Sequence, residues 1–586
     1  MKKIGIGYEN YKEFIDQNLY YVDKTLLVRD VLENGGKVTL ITRPRRFGKT
    51  LGLSMLRTFF ELEYDREGNR IDKRPYFKGK KIMETGETVL SNMGQYPVIK
   101  LSLKSANQPD FERAFMMLRE EIIDECERHA CLKNSAALDE TERERFKGLL
   151  KGGIEWDRRG RNLQDRRERE EALKEECGRY AGALKMLSTY LKKHHGKNVI
   201  ILIDEYDVPL ENAWTCGFYE EMIGFIRSLF ESALKTNDAL EFAVVTGCLR
   251  ISRESIFTGL NNMTLVSVRS GLFSEAFGFT EDETMQMLGD YGMADKAGEV
   301  RKWYDGYLFG RDEIYNPWSV TKYVHEHLSM QDAFPEPYWS NTSSNTIVRD
   351  LILRADDKAR AELDVLINGG TIEKRIHEDI TYADVHESEE NLWNFLFFTG
   401  YMKKVSERMD GEDIYVRMCI PNLEIRSIYR NQIRSWFDRI VQDADRADLY
   451  RAVTEKNTEK LAEILTALLK RSISTFDSAE SFYHGYLLSM LTGMKDYAAR
   501  SNREAGEGRP DITLYPENPT DPAYIFEIKT RKKFNEMQSG LREAFDQIGT
   551  KRYREGILEE GYAGVVSFGL CFCKKSCIAG LYDSVK

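Results

Sequence analysis

Two groups of residues in this sequence have the types and spacing to handle phosphate. The first is Arg43-Pro44-Arg45-Arg46-Phe47-Gly48-Lys49-Thr50. Ahead of a helix, such a turn offers backbone N–H groups to a polyphosphate, Lys49 reaches the outer phosphates, and the Thr50 hydroxyl can sit on Mg²⁺. The stretch departs from the G-x-x-x-x-G-K-[ST] pattern at its first position, where Arg43 replaces glycine. That change is expected to reshape the front of the loop and, with Arg45 and Arg46, to add cations near a triphosphate. A basic turn before an ordinary helix is the competing reading. Further along, the apolar run Val199–Ile203 delivers Asp204 and Glu205 to the end of a buried strand, where open α/β sheets place their chemistry. Asp204 is positioned there to hold Mg²⁺, directly or through water, and Glu205 to orient or deprotonate an attacking water. Acids in that place can also merely cap the next helix. The upstream loop, in the right order, favours the chemical reading. Thr246 is a candidate for sensing the γ-phosphate. Arg250 is a candidate for neutralising charge on the transferring group, in this subunit or a neighbour. Structural roles stay open for both.

The second group lies near the other end of the chain, in Gly508–Leu514 and Ala523–Lys529. Period-two alternation puts Glu527 and Lys529 on one strand face and Phe526 and Ile528 on the other. If Asp511 shares the polar face, two carboxylates and an ammonium converge. Asp511 and Glu527 are then hard oxygen ligands for Mg²⁺ or Mn²⁺, the Ile528 carbonyl can add another, and Lys529 can position or activate water at a phosphodiester. A surface salt bridge is the plainer reading of D…ExK taken alone. Ser478–Thr492 reads as an amphipathic helix with Glu480 and His484 one turn apart. The helix Leu541–Tyr553 brings Gln547 and Tyr553 towards the same pocket.

These residues need a scaffold. Lys37–Thr42 has the β-branched filling of a buried strand, and from Gly48 onward Leu51, Met55 and Phe59 repeat at helical spacing. Further strands are expected in YPVIKLSL, in Val199–Ile203 and in Glu241–Arg250, with a long charged helical region from Asp110 to about His195. Within it, Asp157–Glu176 mixes both signs and reads as a solvated helix rather than a nucleic-acid contact. From Gly271 to about Arg471 the chain reads as mainly helical, its aromatic islands at Trp303–Tyr307, Tyr315–Ser319 and Tyr338–Thr342 serving as packing anchors. Asn391–Lys404 and Ile414–Pro421 suggest a helix and a small β element. Pro516, Pro519 and Pro522 lie between two strands of an expected hairpin. At 586 residues the chain exceeds one core, and the expected spans are 1–270, 271–470 and 471–586.

A formal net charge of −10 excludes global attraction to nucleic acid, so any such binding needs a local basic patch. No signal-peptide core opens the chain and no run approaches 18 apolar residues, which predicts a cytoplasmic protein with no membrane partner. Cys571, Cys573 and Cys577 have no second Cys/His pair nearby and are expected as core or edge thiols.

The ordered motifs make this chain resemble the bacterial AAA-ATPase-like proteins that carry a C-terminal nuclease domain of the PD-(D/E)XK superfamily. The resemblance rests on Tyr21–Thr25, Arg43–Thr50, Tyr96–Val98, Leu202–Asp207, Thr246–Arg250, Ser255–Phe257, Leu260–Asn262, Tyr315–Ser319 and Thr399–Tyr401. It continues through Pro421-Asn422, Glu480 with Tyr483-His484, Gly508-Arg509 with Asp511, Glu527–Lys529 and Gln547-Ile548. The family is similar at Arg43, where its first loop glycine is normally missing. The resemblance implies an α/β multidomain protein: an ASCE-type P-loop ATPase domain with a parallel sheet, a mainly helical middle, and a restriction-endonuclease-like αβββαβ domain. It places Lys49, Thr50, Asp204 and Glu205 on nucleotide and Mg²⁺ positions. Asp511, Glu527 and Lys529 fall on the nuclease core, with Glu480 as the helix acid and Gln547 as an added polar residue. The expected function is an ATPase coupled to a metal-dependent nuclease, using ATP and Mg²⁺, or Mn²⁺ at the nuclease site, and acting on DNA ahead of RNA. The alternative is a nucleotide-switched module that binds nucleic acid or protein without cutting. A purely structural protein leaves the motifs unexplained together, and a homo-oligomer is an open arrangement.

Overall fold

Val38–Thr42 is apolar or β-branched throughout and every residue is buried, as a strand covered on both faces requires. It forms β1 of a parallel sheet with β2 (Val98–Ser102), β3 (Val199–Asp204), β4 (Leu240–Gly247) and β5 (Met263–Val266). The computed structural model describes residues 1–162, 166–249, 256–257, 262–330, 332–339, 357–377, 388–431, 446–471, 480–501, 505–506 and 508–582, with side chains also left out of account at 152–162, 166, 357, 360–361, 364, 389, 471 and 480–482. Strand order is β2-β3-β4-β1-β5, so β4 lies between β1 and β3, with Thr246 beside Ile41 and Val245 beside Ile203. Parallel pairing needs crossovers. Helix Lys49–Phe60 follows β1, the charged region supplies helices Phe111–Arg128, Glu140–Asn162, Arg166–Ala181 and Ala183–His195, and helices Val208–Cys216 and Tyr219–Phe230 lead to β4. The four expected strands are all present; β5 was not foreseen.

The chain divides into two compact units, one of residues 1–347 with 371–428 and one of 348–370 with 429–586. Residues 271–470 are shared between them. In the first unit this stretch is mainly helical, with helices Glu281–Asp290, Ala297–Tyr304, Pro317–Ser329 and Glu389–Phe398. It also carries a hairpin, β6 (Tyr307–Phe309) with β7 (Asp312–Ile314), and an antiparallel sheet of β8 (Ile372–Ile376), β9 (Lys403–Asp410) and β10 (Asp413–Cys419) in the order β8-β10-β9. The aromatic islands are anchors: Tyr304, Tyr315, Tyr323 and Tyr338 share a core with Met287, Leu288 and Val320.

The second unit holds β11 (Tyr497–Ser501), β12 (Ile512–Pro516), β13 (Pro522–Thr530), β14 (Gly564–Cys573) and β15 (Ser576–Leu581), side by side in that order. Only β13 and β14 run parallel; the other pairs are antiparallel. Helix Glu480–Leu491, three strands, helix Met537–Thr550 and β14 reproduce the expected αβββαβ succession, and β15 extends it. Phe526 and Ile528 bury one sheet face against Leu461, Leu465, Tyr483 and Leu487. Ala523 and Ile525 bury the other against Ile548, Tyr553 and Ile557. Cys571 and Cys573 pack with Met537 and Leu541, as core thiols do. Among the described residues no helix is long and apolar enough to cross a membrane.

Candidate functional site

The first group gathers where β1, β3 and β4 end. The loop after β1 turns through left-handed backbone at Arg46 (φ 70°) and Gly48 (φ 84°), and Gly48 caps helix Lys49–Phe60. A glycine suits that corner because no Cβ opposes the positive φ. Phe47 pins the loop, edge-on to Tyr307 at 4.9 Å and near Phe309 at 5.2 Å, while its carbonyl accepts the Gly278 N–H at 3.0 Å. The buried Lys49 ammonium donates to the carbonyls of Arg43 (2.9 Å) and Pro44 (3.0 Å) and lies 3.5 Å from Cys248 Sγ. Arg45, Arg46, Lys49, Thr50 and Glu205 line one cavity of about 450 Å³.

Arg43 corrects an expectation. Its side chain is fully buried, and its guanidinium donates to the carbonyls of Thr42, Val266, Ser267, Leu272 and Phe273 at 2.9 to 3.2 Å while lying 4.8 Å from the Phe309 ring centre. Burial lowers its pKa to about 9. The long side chain therefore reaches the segment after β5 and ties it down; towards the loop, Arg43 contributes backbone and not charge. Arg45 pairs with Glu211, and Arg46 lies over the Trp318 ring at 4.7 Å.

At the end of β3, the buried Asp204 accepts a hydrogen bond from Thr246 Oγ1 at 2.5 Å. Thr246 is thus brought to the acid. Glu205 adopts φ 52°, a conformation costing about 1 kcal/mol or more in a residue with a Cβ. Burial first, and then Asp204, push its carboxyl up, with Lys49 opposing. Arg250 lies outside the described residues.

Asp207 and Tyr206 hold this end together. Asp207 Oδ2 accepts the N–H groups of Cys248 (2.8 Å) and Leu249 (3.0 Å), and Tyr206 OH donates to the Leu249 carbonyl at 2.6 Å. A Cβ on Gly247 would lie 2.5 Å from the Tyr206 ring, so glycine is required there. The signal in the sequence is the run Asp204-Glu-Tyr-Asp207, which carries these two residues directly after the strand-end acids. Glu424, fully buried, accepts from Ser319 Oγ at 2.9 Å and Trp339 N–H at 2.8 Å, and burial pushes its pKa up to about 8. Trp339 Nε1 in turn donates to the Arg45 carbonyl at 3.2 Å. No local pattern marked Glu424.

The second group forms on the sheet of the other unit. Antiparallel pairing of Ile512 with Phe526 places Asp511 opposite Glu527. Asp511 Oδ2 accepts the Ile528 N–H at 2.8 Å. Lys529 Nζ donates to Glu527 Oε1 at 3.0 Å and to the Ile528 carbonyl at 3.1 Å, so the ammonium occupies the carbonyl expected as a metal ligand. Glu527 is fully buried, and its Oε2 has no hydrogen-bond partner among the described residues. Burial first, and then Asp511, raise its pKa to about 7 against the pull of Lys529. Two crowded carboxylates with one unpartnered oxygen fit a divalent cation. His484 Nε2 meets the Asp511 carbonyl at 2.8 Å and Ser501 Oγ at 3.1 Å. Gln547 donates to Tyr553 OH at 3.1 Å, and Tyr553 OH donates to the Arg509 carbonyl at 3.2 Å, just ahead of Asp511. Glu480 opens its helix, but its side chain lies outside the described residues.

Comparison with known proteins agrees with both halves. Residues 5–257 match the family model of a predicted AAA-ATPase, and residues 478–580 match the PD-(D/E)XK nuclease superfamily. The chain thus carries an AAA-ATPase-like domain and, towards its C-terminus, a PD-(D/E)XK nuclease superfamily domain. A protein described as uncharacterized, from the vnfD 5′ region of Azotobacter chroococcum mcd 1, is 25% identical over 429 residues, covering 73% of this chain and 69% of its own. No solved structure matches.

Proposed function

We propose, from a chain with an AAA-ATPase-like domain and a PD-(D/E)XK domain, that ATP binding and hydrolysis in the first unit control metal-dependent cleavage of a nucleic acid, DNA ahead of RNA, by the second. In the first unit, Lys49 would leave the Arg43 and Pro44 carbonyls for the outer phosphates, and the loop N–H groups would hold the rest. Thr50 and Asp204 would hold Mg²⁺, which supplies charge neutralisation on the phosphates when bound. Glu205, lining the same cavity, would orient the attacking water, its raised carboxyl suiting it to accept a proton.

In the second unit, Asp511 and Glu527 would hold Mg²⁺ or Mn²⁺, which supplies charge neutralisation at the attacked phosphodiester. Lys529, released from Glu527 and the Ile528 carbonyl, would position the water and stabilise the developing charge. Gln547 and Tyr553 would fix the segment that carries Asp511. The observation that supports this reading most is the Glu527 Oε2 atom, buried and without a hydrogen-bond partner among the described residues, on the strand facing Asp511. Purified protein with Mn²⁺ and DNA should cut, and Asp511→Ala should lose cutting while keeping its thermal unfolding profile. Equal behaviour of wild type and variant on every DNA and RNA tried would end the nuclease reading.

A second reading, a nucleotide-switched module that binds without cutting, draws on Arg43. A loop front sealed into the wall by five backbone carbonyls is a stiffened one, suited to holding nucleotide more than to turning it over. ATP binding with a hydrolysis rate unchanged in Glu205→Gln would favour it.

A further inference from the structure

One group of ligating side chains in the first unit belongs to neither site. Cys131, His194 and His195 each offer a donor atom, and the three atoms lie within 4.8 Å of one another. Cys131 stands exposed on the 3₁₀ turn Ala130–Asn134, and the two histidines end helix Ala183–His195. We propose that Cys131, His194 and His195 form a binding site for a borderline-soft divalent metal, Zn²⁺ foremost, with water as the fourth ligand, and that the ion pins this turn to the helix that feeds β3.

The donor set suits the metal. One thiolate and two imidazoles are the ligands Zn²⁺ prefers, and the set contains no carboxylate to favour Mg²⁺ or Ca²⁺. Tetrahedral coordination with bonds of about 2.1 to 2.3 Å sets ligand atoms about 3.5 Å apart. The present spread needs a contraction of about 1 Å, within reach of an exposed cysteine rotating about its Cα–Cβ bond. The rings are already held. Ser135 Oγ meets His194 Nδ1 at 2.7 Å, and His195 stacks on Tyr64 with ring planes 7° apart. A hydrogen bond on the second nitrogen is how metal-binding histidines are oriented. The neighbouring cations are engaged elsewhere: Lys192 donates to the Asp238 carbonyl and Lys193 pairs with Glu142. His129 stays out of the set, its Nε2 contacting Arg128 at 3.0 Å and Glu125 at 3.5 Å. The trio precedes β3, whereas Asp204 ends it. A six-residue strand spans about 20 Å, so this metal would not touch the nucleotide.

Cobalt substitution in the full chain tests the site, because only a thiolate gives Co²⁺ a sulfur charge-transfer absorption. Titrated with Co²⁺, the wild type should develop that absorption at one equivalent and lose it when Zn²⁺ is added. Cys131→Ser should abolish it and weaken Zn²⁺ binding about a hundredfold or more, His195→Ala should do the same, and Ser135→Ala should weaken it about tenfold. Asp511→Ala should keep the absorption, which separates the site from the carboxylate one. Absence of the absorption in the wild type, its survival in Cys131→Ser, or Zn²⁺ binding as tight in Cys131→Ser as in the wild type overturns the proposal.

Discussion

The two acid-and-lysine groups are assembled by different means. In the first unit, Asp204 and Thr246 come from the ends of β3 and β4 and Lys49 from the first position of the helix after β1, and left-handed backbone at Arg46, Gly48 and Glu205 brings the pieces into place. In the second, Glu527 and Lys529 lie on β13 and Asp511 immediately precedes its partner β12, so register and alternation set them on one face. The first arrangement depends on loop geometry, and its lysine rests on loop carbonyls that a ligand would replace. The second is fixed by the sheet, and its lysine already touches the acid it would work beside. Strained loops suit a site that changes with occupancy; paired strands suit one that is ready before its substrate arrives.

The largest effects should come from separating the two. Asp511→Ala is expected to lower cleavage at least about a hundredfold and leave ATP hydrolysis intact, whereas Lys49→Ala should abolish ATP binding and leave cleavage unresponsive to nucleotide. Loss of both activities in either variant would break the contrast. Next, Glu205→Gln should slow single-turnover hydrolysis about a hundredfold with ATP affinity kept, as removal of a general base does. Arg43→Lys should cost about 3 kcal/mol in denaturant unfolding, because an ammonium cannot reach five carbonyls fixed by a planar fork. An unchanged midpoint would mean that the first site does not depend on that tie.

Two pH effects are smaller. The carboxyl of Glu424 is raised in the folded state, so the stability it contributes is complete below the ordinary carboxylate range and is lost as pH rises through about 8. Wild type should lose about 2 kcal/mol relative to Glu424→Gln between about pH 6 and 8, followed by thermal unfolding. Glu527 is raised to about 7, and its carboxylate form is the one that binds metal. Mn²⁺ affinity should therefore climb up to about tenfold per pH unit below 7 and flatten above it, measured by calorimetry, with the pH dependence lost in Glu527→Gln.

Much of this was legible in the sequence where the signal is local. Strand, loop and helix around Lys49, the acidic end of β3, and the alternation that puts Glu527 and Lys529 on one face all follow from neighbours a few residues apart. What escaped depends on partners far along the chain. Arg43 reads as a loop cation near a triphosphate until residues 266–273 surround it, and Glu424 reads as an ordinary acid until Ser319 and Trp339 close over it. Thr246 is expected to sense a phosphate, but its bond to Asp204 is not legible locally, since only the sheet order reveals that they are neighbours. Cys131 and His194–His195 are separated by more than sixty positions, beyond the span of any short motif.

The placement of β4 between β1 and β3 makes Thr246 a crossbar. Its hydroxyl reaches Asp204 on one flank while its backbone runs beside Ile41, just ahead of the loop, on the other. A serine there could keep the bond to Asp204, but a valine, nearly identical in shape, would keep the strand and cut the side-chain hydrogen bond between the acid and β4. Loop and acid would then sit on the same sheet as before, each deaf to the other's state.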